Sequence, residues 1–217
     1  MNFSQRSQVN FKMHPNPYNQ EQLDAIMIVR QHLRGCSTAE IESLKIRLKP
    51  YLTFRLETAE FQDRHMSEIC NQNCFTSWTS ACCGREGIMT FLADVVINLL
   101  LSSNEEIESL KQALISDIGG TKCVYLSNKK GCLWHLKPIV CEMFLCDQAK
   151  KTVLEVNDQL KLEWEELRKK EKDFTWPDKP VLFDEIEEIF INAGLDSPLM
   201  YFHKSPGLLR VKKAKTT

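Results

Sequence analysis

Eight of the nine cysteines in this chain crowd between positions 70 and 146. They are Cys70, Cys74, Cys82, Cys83, Cys123, Cys132, Cys141 and Cys146. Cys36 stands apart and reads as an ordinary cysteine. Thiolates select zinc, copper(I) or iron–sulfur clusters over hard cations. Four of them complete a tetrahedral zinc site or a 4Fe–4S cubane. Eight suffice for one centre with thiols to spare, or for two. The alternatives are reduced, buried cysteines acting as small hydrophobes, or redox and disulfide chemistry. An odd cysteine count and the lack of a secretory leader argue against a disulfide framework.

The spacing is Cys70-x3-Cys74-x7-Cys82-Cys83, a long insert, then Cys123-x8-Cys132-x8-Cys141-x4-Cys146. Two batches separated in sequence can converge on one centre. The side chains of adjacent residues point apart, so one of Cys82 and Cys83 would ligate while the other packs or serves a second metal. His135 and His65 could each replace a thiolate, but read more simply as surface or supporting histidines. Arg85 and Lys137 lie next to the cysteines, where a cation offsets thiolate charge and can donate to sulfur. Trp134, Met143 and Phe144 could shield a cluster or simply fill a core. Glu86, Glu142 or Asp147 could act as a base beside a catalytic zinc, but nothing in the sequence signals the open coordination position this needs. Walker, Gly-x-Gly-x-x-Gly, Gly-x-Ser-x-Gly and His-Glu-x-x-His motifs are absent, as is the radical S-adenosylmethionine triplet. Whether the chain is an enzyme stays open.

The elements that must position these residues read as helices. The first twenty residues look like a loose arm. A helix fits Glu21 to Leu33. Ser37 with Glu40 forms a capping-box pattern, opening a helix expected to end at Pro50. A third helix fits Glu57 to Ile69 and runs into Cys70. The apolar run Ile88 to Leu101, interrupted by Asp94 and Asn98, reads as a buried helix and is too short for a membrane span. A helix capped at Ser103 or Asn104 should stop at Gly119-Gly120. Cys123 to Cys146 reads as loop, punctuated by Gly131 and Pro138, with a short helical turn near its end. From Asp147 to Lys172, Val153, Val156, Leu160, Trp164 and Leu167 recur at helical spacing and predict one long amphipathic helix. A last helix starts at Asp184 and ends at Gly194. The tail from 201 to 217 is basic: from Lys204 onward it carries Arg210, Lys212, Lys213 and Lys215 and no acid, and it reads as a solvated terminus.

The whole is globular in composition, with 43% hydrophobic and 26% charged residues. Its 28 basic and 29 acidic side chains give a formal charge of -1, which provides no global steering towards nucleic acid or an acidic membrane. The polar opening lacks an apolar leader core, so a cytoplasmic location with reduced thiols is expected.

The cysteine order resembles the YkgJ-type cysteine-cluster family, described as zinc- or iron-chelating. Closely spaced cysteines end in Cys82-Cys83. Cys123-Val-Tyr-Leu126, then Gly131-Cys132, then Lys137-Pro138-Ile-Val-Cys141-Glu-Met-Phe144 follow the later elements of that pattern. Lys137 stands where the family usually has arginine. The resemblance covers positions 68 to 148 and implies metal or iron–sulfur binding by these cysteines. It does not carry over the methylase activity of larger relatives.

The expectation is a mainly α protein: one helical domain over residues 21–200 with irregular cysteine-rich loops, 68–148, gathered around a metal or iron–sulfur centre. Its role would be electron transfer, redox sensing or structural support, with a redox or protein partner. The competing readings are a structural zinc module presenting a helical interaction surface, and a metal chaperone.

Overall fold

The computed structural model describes residues 16–72, 83–84, 89–117, 122–127, 131–176 and 179–215. Cys74, Cys82, Arg85, Glu86 and the Gly119-Gly120 stop therefore lie outside the described residues. The described chain is mainly helical, as the sequence predicts.

Helix α1 (Pro17–Gly35) begins inside the stretch expected to be an arm. The cause is local. Asn16 Oδ1 accepts the Asn19 N–H at 2.9 Å, and Pro17 sits in the first turn, where its fixed φ suits the helix and its missing N–H is not needed. Helix α2 (Thr38–His65) opens on the predicted Ser37–Glu40 capping box. It does not stop at Pro50. The proline costs a helix about 3 kcal/mol, but Leu44, Leu48, Tyr51, Phe54 and Phe61 are all buried on this one element. Tertiary burial outweighs the local penalty and fuses two expected helices into one. After a turn at Met66, α3 (Ser67–Cys70) delivers the first cysteine.

Helix α4 (Leu92–Leu101) is the hub. Residues Leu92 to Leu99 are buried without interruption, as expected for a helix apolar on every side. It packs against α1 and against α9 (Leu182–Asn192). Helix α5 (Asn104–Ser116) carries its own capping box from Ser103 and Glu106 and buries Ile107, Leu110 and Leu114. Between 122 and 146 lie a two-residue antiparallel pair, β1 (Leu126–Ser127) with β2 (Gly131–Cys132), and a short helix α6 (Ile139–Glu142).

The single long helix expected from Asp147 to Lys172 is divided. A short α7 (Asp147–Ala149) passes into a π-helical turn, Lys150–Leu154. Helix α8 (Asp158–Thr175) then restarts at Asn157, whose side chain accepts the Leu160 N–H at 3.1 Å. The π turn changes the register. Leu154 is buried, while Val156, predicted to face inward, is 74% exposed. Trp164 and Leu167 do face the core as expected.

Helix α9 ends in a Schellman-type turn. Gly194 takes φ +73°, and the Leu195 N–H reaches the Phe190 carbonyl at 3.0 Å. Ala193, at the C-terminal end of α9, is exposed. Helices α10 (Tyr201–Lys204) and α11 (Pro206–Lys215) follow. The stretch from 201 is thus not all solvated tail. Phe202 is buried in the core. The buried carboxylate of Glu187 accepts the backbone N–H groups of Phe202 and His203 at 3.3 and 3.1 Å, and meets His203 Nδ1 at 2.9 Å.

An aromatic chain knits these helices. Phe183 meets Tyr51 at 5.4 Å, Phe91 at 5.7 Å and Phe202 at 6.2 Å between ring centroids, in edge-on geometries. Phe183 is fully buried. Phe183→Ala should therefore lower the unfolding free energy by about 4 kcal/mol, read from urea unfolding followed by circular dichroism.

Candidate metal centre

Six of the eight predicted cysteines can be placed, and the structure assigns them different tasks. Cys83 and Cys123, from opposite ends of the long insert, are directly joined. The Cys123 N–H donates to the Cys83 carbonyl at 2.8 Å, and Gly84 and Lys122 form an adjacent antiparallel bridge. Cys132 lies on β2 opposite Leu126, and the Leu133 N–H bonds the Tyr125 carbonyl at 2.9 Å. Cys141 sits on α6. Each of these thiols is close enough to others of the set to act on them electrostatically: Cys83, Cys132 and Cys141 on Cys123, and Cys83 and Cys132 on Cys141.

Three of these thiols, Cys123, Cys132 and Cys141, are held neutral by burial. Burial pushes Cys123 and Cys141 up to about 12, and neighbouring thiols and acids add to the effect. Burial also raises Cys132, while Lys137 nearby opposes it. Two sulfurs already receive backbone donors. The Tyr125 N–H is directed at the Cys123 sulfur and the Trp134 N–H at the Cys132 sulfur. Both follow a cysteine by two residues, and both favour the thiolate.

The loop bearing Cys132 and Cys141 hangs from the core helix. Asn98 of α4 accepts the Leu136 N–H at 2.8 Å and donates to the Leu136 carbonyl at 2.8 Å. Asp94, one turn earlier, accepts the Phe91 N–H and the Ile139 N–H, each at 3.0 Å. It thereby caps both its own helix and α6. Burial raises the Asp94 carboxyl to about 6 against these hydrogen bonds and Arg55. In the sequence these two residues only mark interruptions of an apolar run. Here they are the attachment points of the cysteine loop.

Charge behind the loop is supplied from α2. The buried Arg55 donates to the Lys137 carbonyl and the Tyr51 hydroxyl, both at 2.8 Å, and stands 3.6 Å from the Glu142 carboxylate. Lys137 Nζ lies 3.4 Å from the same carboxylate. Burial works against the Lys137 ammonium, but Glu142 and the Cys132 and Cys83 thiols outweigh it and raise its pKa. Lys137 therefore sits where a cation could balance thiolates, as the sequence suggests. Arg55, distant in sequence, carried no such signal.

The other candidates make the following local contacts. The Cys146 sulfur accepts the Ala149 N–H at 3.5 Å and caps α7. Cys70 ends α3, partly buried against the core. His135 pairs with Glu106 at 3.2 Å on an exposed face, and His65 packs on Phe61. Trp134 and Met143 are buried, and Phe144 is 47% exposed. Asp147 is exposed and pairs with Lys150, and Glu142 is buried in its ion pairs. Among the described residues no three side chains of Cys, His, Asp or Glu stand gathered as a ready-made metal-binding group. No described helix is long and apolar enough to cross a membrane.

The buried Tyr18 and Thr90 hydroxyls lie within hydrogen-bonding reach of each other, and the buried Trp134 Nε1 lacks a partner among the described residues. Tyr18, on the first turn of α1, lies within electrostatic reach of the Cys123 and Cys141 thiols. Tyr125, stacked edge-on against Trp134 at 5.1 Å, bonds Gln22 of α1 at 3.3 Å. Tyr18 escaped the sequence reading because nothing local ties position 18 to position 123.

Asn98→Ala should cost about 3 kcal/mol, because it leaves both polar groups of Leu136 without their buried partner; urea unfolding measures it. The raised thiols set a pH dependence. In the unfolded chain they ionise near pH 9, while in the fold Cys123 and Cys141 hold their protons to about 12. The folded state then binds more protons, so the metal-free protein loses stability as pH rises from 9 towards 12. The expected slope is about 1.4 kcal/mol per pH unit and thiol, and it should flatten in a Cys123→Ala, Cys141→Ala double variant.

Comparison with protein families, curated proteins and solved structures finds no match to this chain.

Proposed function

We propose that this chain holds a thiolate-bound metal centre, foremost a 4Fe–4S or similar iron–sulfur cluster, between Cys83, Cys123, Cys132 and Cys141. Cys74 and Cys82, outside the described residues, and Cys70 and Cys146 at the margins complete the wider ligand set read from the sequence. The observation that carries the proposal is the meeting of the two cysteine batches. A backbone hydrogen bond ties Cys83 to Cys123, and a hairpin and a capped helix bring Cys132 and Cys141 to the same electrostatic neighbourhood.

The donor chemistry fits such a group. Thiols of raised pKa surrender protons when a metal binds, so loading should strengthen with pH. Backbone N–H groups on two sulfurs and the Lys137 ammonium stabilise the charge a thiolate set would carry. The group itself would supply one-electron redox chemistry or, if zinc, a fold staple. The chain's own residues exclude water, hold the sulfurs and balance charge. Kinship with the YkgJ-type proteins, a reducing cytoplasm and a redox or protein partner belong to the same proposal.

The test is metal and sulfide analysis, with an absorption spectrum, on protein purified without oxygen. About four irons with matching sulfide per chain is the expected result. Zinc alone replaces the redox role with a structural one. Absence of metal overturns the proposal. Cys141→Ser should empty the centre, and full metal content in that variant would remove Cys141 from the ligands.

A further inference from the structure

Four helices meet at a cavity that the metal reading leaves unused. It is open to solvent, holds about 380 Å³, and lies between the C-terminal half of α1, the first turns of α2, the end of α4 and the start of α5. That size falls at the lower end of small-ligand sites. No cysteine lines it. The buried Leu99 and Ile107 and the half-buried Leu33, Ile41 and Leu100 make an apolar floor. Arg30, Arg34 and Lys45 supply its charge, and no carboxylate lines it.

The three cations are not equally compensated. Arg30 pairs with Glu108 at 2.5 Å and donates to Asn104 Oδ1 at 3.3 Å. Lys45 pairs with Glu42 at 3.1 Å. Lys111 meets the other oxygen of Glu108 at 2.8 Å, so that carboxylate is already shared between two cations. Arg34 makes no ion pair among the described residues. It stands four residues after Arg30 on α1, and like charges at that spacing repel. A neighbouring hollow shares Arg30 and Arg34 and adds Lys111. One guanidinium is thus left over, in a concave site whose apolar walls focus its field.

We infer that this cavity binds a small organic carboxylate with a short apolar body, its head on Arg34 and its body on the leucine and isoleucine floor. A guanidinium presents two parallel N–H groups that match the two oxygens of a carboxylate. One uncompensated cation matches a monoanion and not a phosphate dianion. The apolar chain gains by leaving water for the floor. The inference goes beyond the metal reading and does not depend on it.

The experiment titrates octanoate into the full-length protein and follows the methyl signals of labelled leucine and isoleucine by NMR. Saturable shifts are expected at Leu33, Ile41 and Leu100. Affinity should fall about fivefold in Arg34→Ala, the effect of one lost exposed ion pair. Arg34 is exposed, so the variant should keep the wild-type unfolding temperature. Should it not, the wild type alone decides through two further measurements. Added salt should weaken octanoate binding, and octylammonium, with the same chain and the opposite charge, should not bind. No saturable shift with octanoate, undiminished affinity in a folded Arg34→Ala, or octylammonium binding as tightly as octanoate would each overturn the inference. Octyl phosphate should bind no tighter than octanoate; binding tenfold tighter would overturn the choice of a carboxylate. Metal and sulfide analysis is untouched by any of these results, so the two readings stand or fall separately.

Discussion

The arrangement of the cysteine loop depends on two polar side chains placed in the most apolar helix of the protein. Asp94 and Asn98 occupy successive turns of α4, each almost fully buried. A buried carboxylate and amide are tolerable only when hydrogen-bonded. Their partners are backbone groups of residues 91, 136 and 139. The need to satisfy these groups and the need to hold the loop are met by the same bonds. The core therefore fixes the segment from Cys132 to Cys141 at its middle, without relying on a long hairpin or a disulfide.

Around that attachment the helices divide the labour. Helix α2 supplies a buried guanidinium that reaches the Lys137 carbonyl and faces Glu142. A buried charge of this kind is weak evidence of net stability, because desolvation offsets most of the attraction. Its clearer effect is geometric. Arg55, Glu142 and Lys137 fix one another, and Lys137 is left with its ammonium near the Cys132 and Cys83 thiols. Helix α1 brings Tyr18 into electrostatic reach of the Cys123 and Cys141 thiols and Gln22 to the Tyr125 hydroxyl.

Burial keeps Cys123, Cys132 and Cys141 protonated, while backbone N–H groups on two of these sulfurs would stabilise the thiolate charge that the proposed metal centre requires. That tension between burial and donation is what favours a ligand role over that of simple buried hydrophobes for Cys123, Cys132 and Cys141. Cys146, in the same stretch of sequence, also caps a helix with its sulfur.

Periodicity and caps were local enough to read directly. The mainly helical class, the Ser37 and Ser103 caps, the buried α4 and the Gly194 stop follow from interactions within one or two turns. Two helix boundaries could not be read this way. Pro50 opposes a helix locally, and only the apolar residues buried on both sides of it carry α2 through. The helical stripe from Val153 to Leu167 is continuous as a pattern, but packing required a π turn that brings Leu154 inward and leaves Val156 in solvent. The candidate site divides likewise. Residue type and spacing alone nominated the cysteines and Lys137, because thiol chemistry is carried by composition. The meeting of Cys83 with Cys123, the anchoring by Asp94 and Asn98, and the placement of Arg55 and Tyr18 are contacts between residues tens of positions apart. No local rule encodes them, and only closing the chain around its core decides which distant groups must satisfy one another.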